Sequence, residues 1–245
     1  MKQYEAVIET LEKLNGIATL GELYQEVFKI KDCEWKAKDP FANIRRIVQL
    51  NEEIYKIKPG LYALKSHKED LESKGIYSEY EEKKETSRTA VFSHSYYQGV
   101  LLKLGNLKKY DTYVPPKDKN KNFIKKKLSN FSTLDAVPSF SYERFVRRSS
   151  NIDVIWFNER KMPHAFFEVE YTTDFHNSLI KFVDLQDFYA KMIIVADDKR
   201  EGEFKEKFSS SAFDSVKDRV NFWNFDKLVK KYEYEIKLKN LSTEL

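Results

Sequence analysis

Three acidic residues stand in this chain where acidic residues are costly. Asp153 opens the run Ile152-Asp153-Val154-Ile155-Trp156-Phe157, and Glu168 and Glu170 lie near the end of Ala165-Phe166-Phe167-Glu168-Val169-Glu170-Tyr171. Both runs are apolar and strand-like, and the polar stretch Asn158-Glu159-Arg160-Lys161 joins them as a turn. Side chains alternate along a strand, so Glu168 and Glu170 share one face about 7 Å apart, while Phe167 and Val169 face the other way. A hairpin of the two runs brings Asp153 beside both. Carboxylates crowded together repel unless a cation lies between them, and a buried one without a partner is unfavourable. The spacing therefore points to a metal site. Acidic residues at strand ends more commonly face solvent. Here, however, they interrupt runs that look buried, and Thr172-Thr173-Asp174 and a helical pattern follow. That order puts them at a strand's carboxyl end, where sites in α/β sheets collect.

On these residues the chain resembles the PD-(D/E)XK nuclease superfamily, which includes many type II restriction endonucleases. The stretch from about His94 to Phe188 is also similar to restriction-endonuclease-like proteins with Glu-Val-Glu, a hydrophobic residue and two threonines before a helix. The resemblance implies Mg²⁺ held by Asp153, Glu168 and the carbonyl of Val169, activating water for attack on a phosphodiester. The sequence departs from the pattern twice: Ile152 stands where proline is typical, and Glu170 where lysine is. Glu170 would orient or deprotonate the water, or bind a second metal. Lys181, on the following helix, could take the missing lysine's place. No Ser–His–Asp or Cys–His set competes, since His94, His164 and His176 are scattered.

The whole chain sets bounds on this reading. Its 245 residues suffice for one large or two small domains, and 41% hydrophobic and 15% aromatic content argues for packed cores. A net charge of +4 decides little. The single Cys33 excludes an internal disulfide framework and a multi-cysteine zinc site. With no signal peptide and no long apolar run, a cytoplasmic location is expected.

Residues 1–66 read as three helices and a hairpin. Val7, Ile8, Leu11 and Leu14 keep helical spacing up to Asn15-Gly16, and Leu20, Leu23, Tyr24 and Val27 share a second helix face. Asp39-Pro40 starts a third helix that buries Phe41, Ile44, Ile47 and Val48. Lys58-Pro59-Gly60 then turns a hairpin. This looks like a winged helix-turn-helix, with Asn43, Arg45, Arg46 and Gln49 facing outward as readers of double-stranded DNA and Lys56 and Lys58 in the wing. Such folds also dock proteins, and that alternative stays open. Residues 67–90, including the charge run Glu79 to Glu85, read as a linker.

Residues 91–245 form the expected nuclease-like domain. A helix with Tyr97, Val100, Leu101 and Leu104 ends at Gly105, and Tyr110 to Val114 is a strand. The segment 117–127 is the most basic of the chain. Its Lys119, Lys121 and Lys125 suit a phosphate backbone, although a solvated loop would have the same composition. Arg147-Arg148, after a short helix over Tyr142–Val146, could also meet phosphate; Glu143 is a remote further ligand. A helix with Leu179, Phe182, Leu185 and Phe188 presents Lys181, Gln186 and Tyr189, and Gln186 is expected at DNA. Met192 to Ala196 is a strand buried on both faces; a helix near Glu201–Phe208, a strand Val220 to Trp223 and a last helix follow. The expectation is an α/β (α+β) chain, a winged helix followed by a mixed central sheet flanked by helices. Its function would be Mg²⁺-dependent DNA cleavage, for which cutting both strands suggests a homodimer; the alternative is an inactive nuclease-like DNA-binding regulator.

Overall fold

A computed structural model describes residues 1–78, 87–172 and 174–243. The charge run from Glu79 to Glu85 and Thr173 lie outside them. The chain forms two compact units, Met1–Thr89 together with Val229–Leu245, and Ala90–Leu228.

The first unit opens with helix α1 (Gln3–Lys13), which ends where Asn15 and Gly16 adopt positive φ, 54° and 80°. Strand β1 (Ile17–Thr19) follows; three residues are too few to show alternation, so periodicity misses it. Helix α2 (Leu20–Glu26) is fixed by a reciprocal cap, in which the Thr19 hydroxyl accepts from the Glu22 amide and Glu22 accepts from the Thr19 amide. Helix α3 (Pro40–Leu50) starts as expected, with Asp39 accepting from the Ala42 amide at 3.0 Å. Its buried face is Phe41, Ile44 and Val48, whereas Ile47 is only half-buried. Strands β2 (Ile54–Lys58) and β3 (Leu61–Leu64) make an antiparallel hairpin, and β1 pairs with β3 in the order β1-β3-β2. Gly60 is required at the turn: its φ is +69°, and an added Cβ would lie 2.3 Å from Val229. Helix α4 (Lys68–Ser73) occupies part of the stretch expected to be linker.

The second unit is built on a mixed five-stranded sheet. Long helix α5 (Ser87–Leu107) runs through Gly105 instead of ending there. That glycine is a packing residue, since a Cβ would stand 2.6 Å from both Thr112 and Trp156. After strand β4 (Asp111–Tyr113) come the small ribbon β5 (Asn122–Phe123) and β6 (Lys126–Lys127), then helix α6 (Glu143–Ser149). Strands β7 (Val154–Phe157) and β8 (Pro163–Glu170) form the expected hairpin, with Val154 opposite Phe167. Helix α7 (Phe175–Val183), strand β9 (Lys191–Ala196), helix α8 (Glu201–Phe208), strand β10 (Val220–Asn224) and helix α9 (Phe225–Thr243) complete the chain. The sheet order is β10-β9-β8-β7-β4, parallel from β10 to β8 and antiparallel from β8 to β4.

Helices flank the sheet as the alternation requires. Ile155, Phe157, Phe166 and Ile194 share a core with Phe175, Leu179 and Phe182 of α7 and Phe204 of α8. On Trp156 the indole N–H donates to the Leu101 carbonyl of α5 at 3.1 Å. Helix α7 ends at Val183, earlier than the apolar spacing suggests, so Leu185, Gln186, Phe188 and Tyr189 lie in the following turn.

Candidate catalytic centre

The carboxyl end of β8 carries Glu168 and Glu170 on one face, and the β7–β8 register sets Asp153 beside them. All three are buried: Asp153 is 4% exposed, Glu168 1% and Glu170 5%. Asp153 Oδ2 accepts from the Val169 amide at 3.0 Å and lies 3.1 Å from His94 Nε2. Lys181 Nζ donates to Glu168 Oε2 at 2.7 Å and to the Asn151 carbonyl at 3.3 Å. The Ser178 hydroxyl lies 3.1 Å from Glu168 Oε2 and bonds Glu170 Oε1. One hydroxyl proton cannot be given to both carboxylates, so this contact leaves their repulsion in place. Glu168 Oε1 is buried with no hydrogen-bond partner among the described residues.

The electrostatics follow from this crowding. Burial, then the Asp153 charge, push the Glu168 carboxyl up to about 8, against the pull of Lys181. Burial also works against the charged form of Asp153, but the hydrogen bond and charge of His94 and the Val169 amide hold it below the usual carboxylate range. His94 is raised: burial lowers it, and Asp153 more than compensates. On Lys181 burial is likewise outweighed, by Glu168 and then Asp153, and the ammonium is held firmly. The proton that the cluster keeps therefore sits on Glu168.

Several contributors escape sequence reasoning. The helix α5 supplies His94, and also Gln98, whose amide donates to the Asp153 carbonyl at 3.2 Å and to Asp118 Oδ2 at 2.8 Å. Both are polar and four residues apart, hence on one face of the helix; that spacing was the available signal. Asp118 is fully buried and pairs with Lys121 at 2.6 Å. Its carboxylate lies inside the segment that reads as the most basic of the chain, where composition hides it. Lys117 of the same segment reaches within 3.9 Å of Asp153 Oδ1.

The expected DNA-facing residues divide. Arg46 and Gln49 are exposed on α3, and Asn43 is half-buried, its amide 3.4 Å from Gln3. Arg45 is instead committed to an ion pair with buried Glu233, and Lys58 is 1% exposed. Arg45 keeps about a third of its side chain exposed beside that pair, whereas the hairpin buries Lys58. Lys119 donates to the Asp135 carbonyl at 2.6 Å, Lys121 is taken up by Asp118, and Lys125 is exposed. The Gln186 side chain is exposed beyond the end of α7, while its carbonyl accepts from Arg219. Glu143 is exposed at the start of α6, as expected for a surface carboxylate.

Asp153, Glu168 and Glu170 are the residues that could take up a cation. Among the described residues no three His, Cys, Asp or Glu side chains are already disposed around a common metal position. Lys181, Ser178 and His94 occupy the carboxylate oxygens instead. No helix among the described residues is long and apolar enough to cross a membrane.

Residues 76–245 match a family model described as the type II restriction enzyme NmeDI C-terminal domain. No curated protein and no solved structure matches the chain.

Proposed function

Since the chain belongs to the family of the type II restriction enzyme NmeDI C-terminal domain, we propose that it is a Mg²⁺-dependent endodeoxyribonuclease of PD-(D/E)XK type. In this reading the unit Ala90–Leu228 carries the nuclease chemistry, with Val229–Leu245 clustering with the first unit rather than with the expected domain 91–245, and residues 1–66 are a winged helix for target recognition. One observation carries the proposal: three carboxylates are buried together around the carboxyl end of β8, and one oxygen, Glu168 Oε1, has no partner among the described residues. An all-oxygen donor set with an orphaned carboxylate oxygen fits a hard divalent cation.

Asp153, Glu168 and the Val169 carbonyl would hold the ion. When bound, Mg²⁺ lowers the pKa of water and stabilises negative charge on the scissile phosphate. The protein's own groups do the rest. His94 and the Val169 amide fix Asp153 as a charged carboxylate. Glu170, bonded to Ser178, orients the attacking water and accepts its proton. Lys181, bonded to Glu168, would take over the role of the superfamily's usual lysine and neutralise charge on the phosphate. Arg46, Gln49 and Asn43 face the target duplex, and cutting both strands calls for two copies of the chain.

The test is incubation of purified protein with plasmid and genomic DNA, with Mg²⁺ and with EDTA. Discrete Mg²⁺-dependent fragments are expected. Intact DNA under all conditions, together with salt-sensitive binding to duplex, would replace this reading with that of a binding regulator.

A further inference from the structure

Beside the carboxylates lies a cleft of about 480 Å³ lined by Arg144, Phe145, Arg147, Arg148, Asn151 and Asp184. Three guanidinium groups face one carboxylate there. Only Arg148 is neutralised, by an ion pair with Asp184. Arg144 lies over the Phe145 ring at 4.5 Å, which covers its face and leaves its N–H edge available. Among the described residues neither Arg144 nor Arg147 pairs with a carboxylate. At positions i and i+3 of a helix they share a face, so their charges repel until an anion is placed between them.

The position of the cleft identifies the anion. The Asn151 carbonyl in its wall accepts from Lys181 Nζ, and the same ammonium bonds Glu168. One side chain therefore bridges the cleft and the catalytic carboxylates. Phosphates on a strand recur about every 3.4 Å along the duplex axis. A strand with one phosphate at the carboxylates carries its neighbours past this wall.

We propose that this cleft is a backbone-phosphate site, in which Arg144 and Arg147 grip the sugar–phosphate chain of duplex DNA next to the bond to be cut. The assignment rests on the nuclease reading for its orientation, but not for its binding chemistry. Fork-shaped guanidinium groups suit phosphate oxygens, and such contacts position a duplex without reading its sequence.

The test measures affinity of the full chain for a fluorescent duplex in EDTA across a salt series, alongside cleavage in Mg²⁺. R144A/R147A should lower the slope of log Kobs against log [salt] by about 2, and R147A alone by about 1. R144K/R147K, which keeps the charges, should keep the slope. An unchanged slope in both alanine variants overturns the proposal, as does a slope lost equally in the lysine variant or a wild-type chain with no affinity for duplex. A wild-type chain that binds with the predicted slopes but never cuts would overturn the nuclease reading and leave the cleft assignment standing. A wild-type chain that cuts, with variants of unchanged slope, would do the reverse.

Discussion

Two of the places where the chain buries carboxylates differ in how their charge is balanced. In the first unit Glu233 is 3% exposed and meets one cation, Arg45. Burial raises its carboxyl, Arg45 pulls it back, and the ion pair is complete. In the second unit three carboxylates share chiefly one half-buried ammonium, that of Lys181, and a histidine. Burial and mutual repulsion push Glu168 to about 8, and one of its oxygens finds no partner. A balanced buried pair ties elements together. An unbalanced cluster spends stability, and such clusters mark functional sites.

The contrast can be broken by substitution, beginning with the largest effect. Asp153→Ala or Glu168→Ala should lower cleavage by about 10³-fold, equivalent to losing several kcal/mol of charge stabilisation. Duplex binding should stay near wild type; a mutant that cuts normally would put the chemistry elsewhere. Arg45→Ala should leave cleavage by the folded protein intact and cost about 3 kcal/mol of stability, because Glu233 is left buried and uncompensated. Chemical denaturation reads this directly, and Arg45→Met combined with Glu233→Leu should recover most of the loss. Lys181→Ala should cut more slowly by about 10²-fold; an unchanged rate would remove Lys181 from the mechanism.

The smallest effect concerns pH, and its sign follows from the raised carboxyl. Between the ordinary glutamate range and about 8 the folded state holds a proton on Glu168 that the unfolded chain releases. Its stabilising contribution is thus fully present below the unfolded pKa and disappears as pH rises through about 8. Melting temperatures of the metal-free protein should decline across this window, and less steeply for Glu168→Gln. Added Mg²⁺ should raise the melting temperature at the alkaline end for the wild type but not for Glu168→Ala, a comparison that needs no DNA.

Much of this was legible in the linear chain. Helix α3 starts at Asp39-Pro40 because a side-chain cap and a proline are local signals. The β7–β8 hairpin, the fully buried strand β9 and the span of α8 follow from residue period. The three carboxylates were legible for a related reason: charges interrupting an apolar alternation stand out at any distance. Local spacing could not decide which long-range partner a residue meets. Gly105 reads as a helix stop but serves as a close-packing point against Trp156, and Arg45 reads as a DNA reader but answers Glu233, 188 residues away.

The sequence alone therefore determined most of the longer elements, their order and the acids on one strand face, because backbone propensity and side-chain alternation act over a few residues. Only the tertiary structure decided that His94 and Gln98 would reach Asp153, that Asp118 would be buried inside a lysine-rich segment, and that Lys181 would span Glu168 and the arginine-lined cleft. Those outcomes depend on which surfaces pack together, and burial then fixes the electrostatics, since a charge removed from water takes its energy from whatever neighbours the fold supplies.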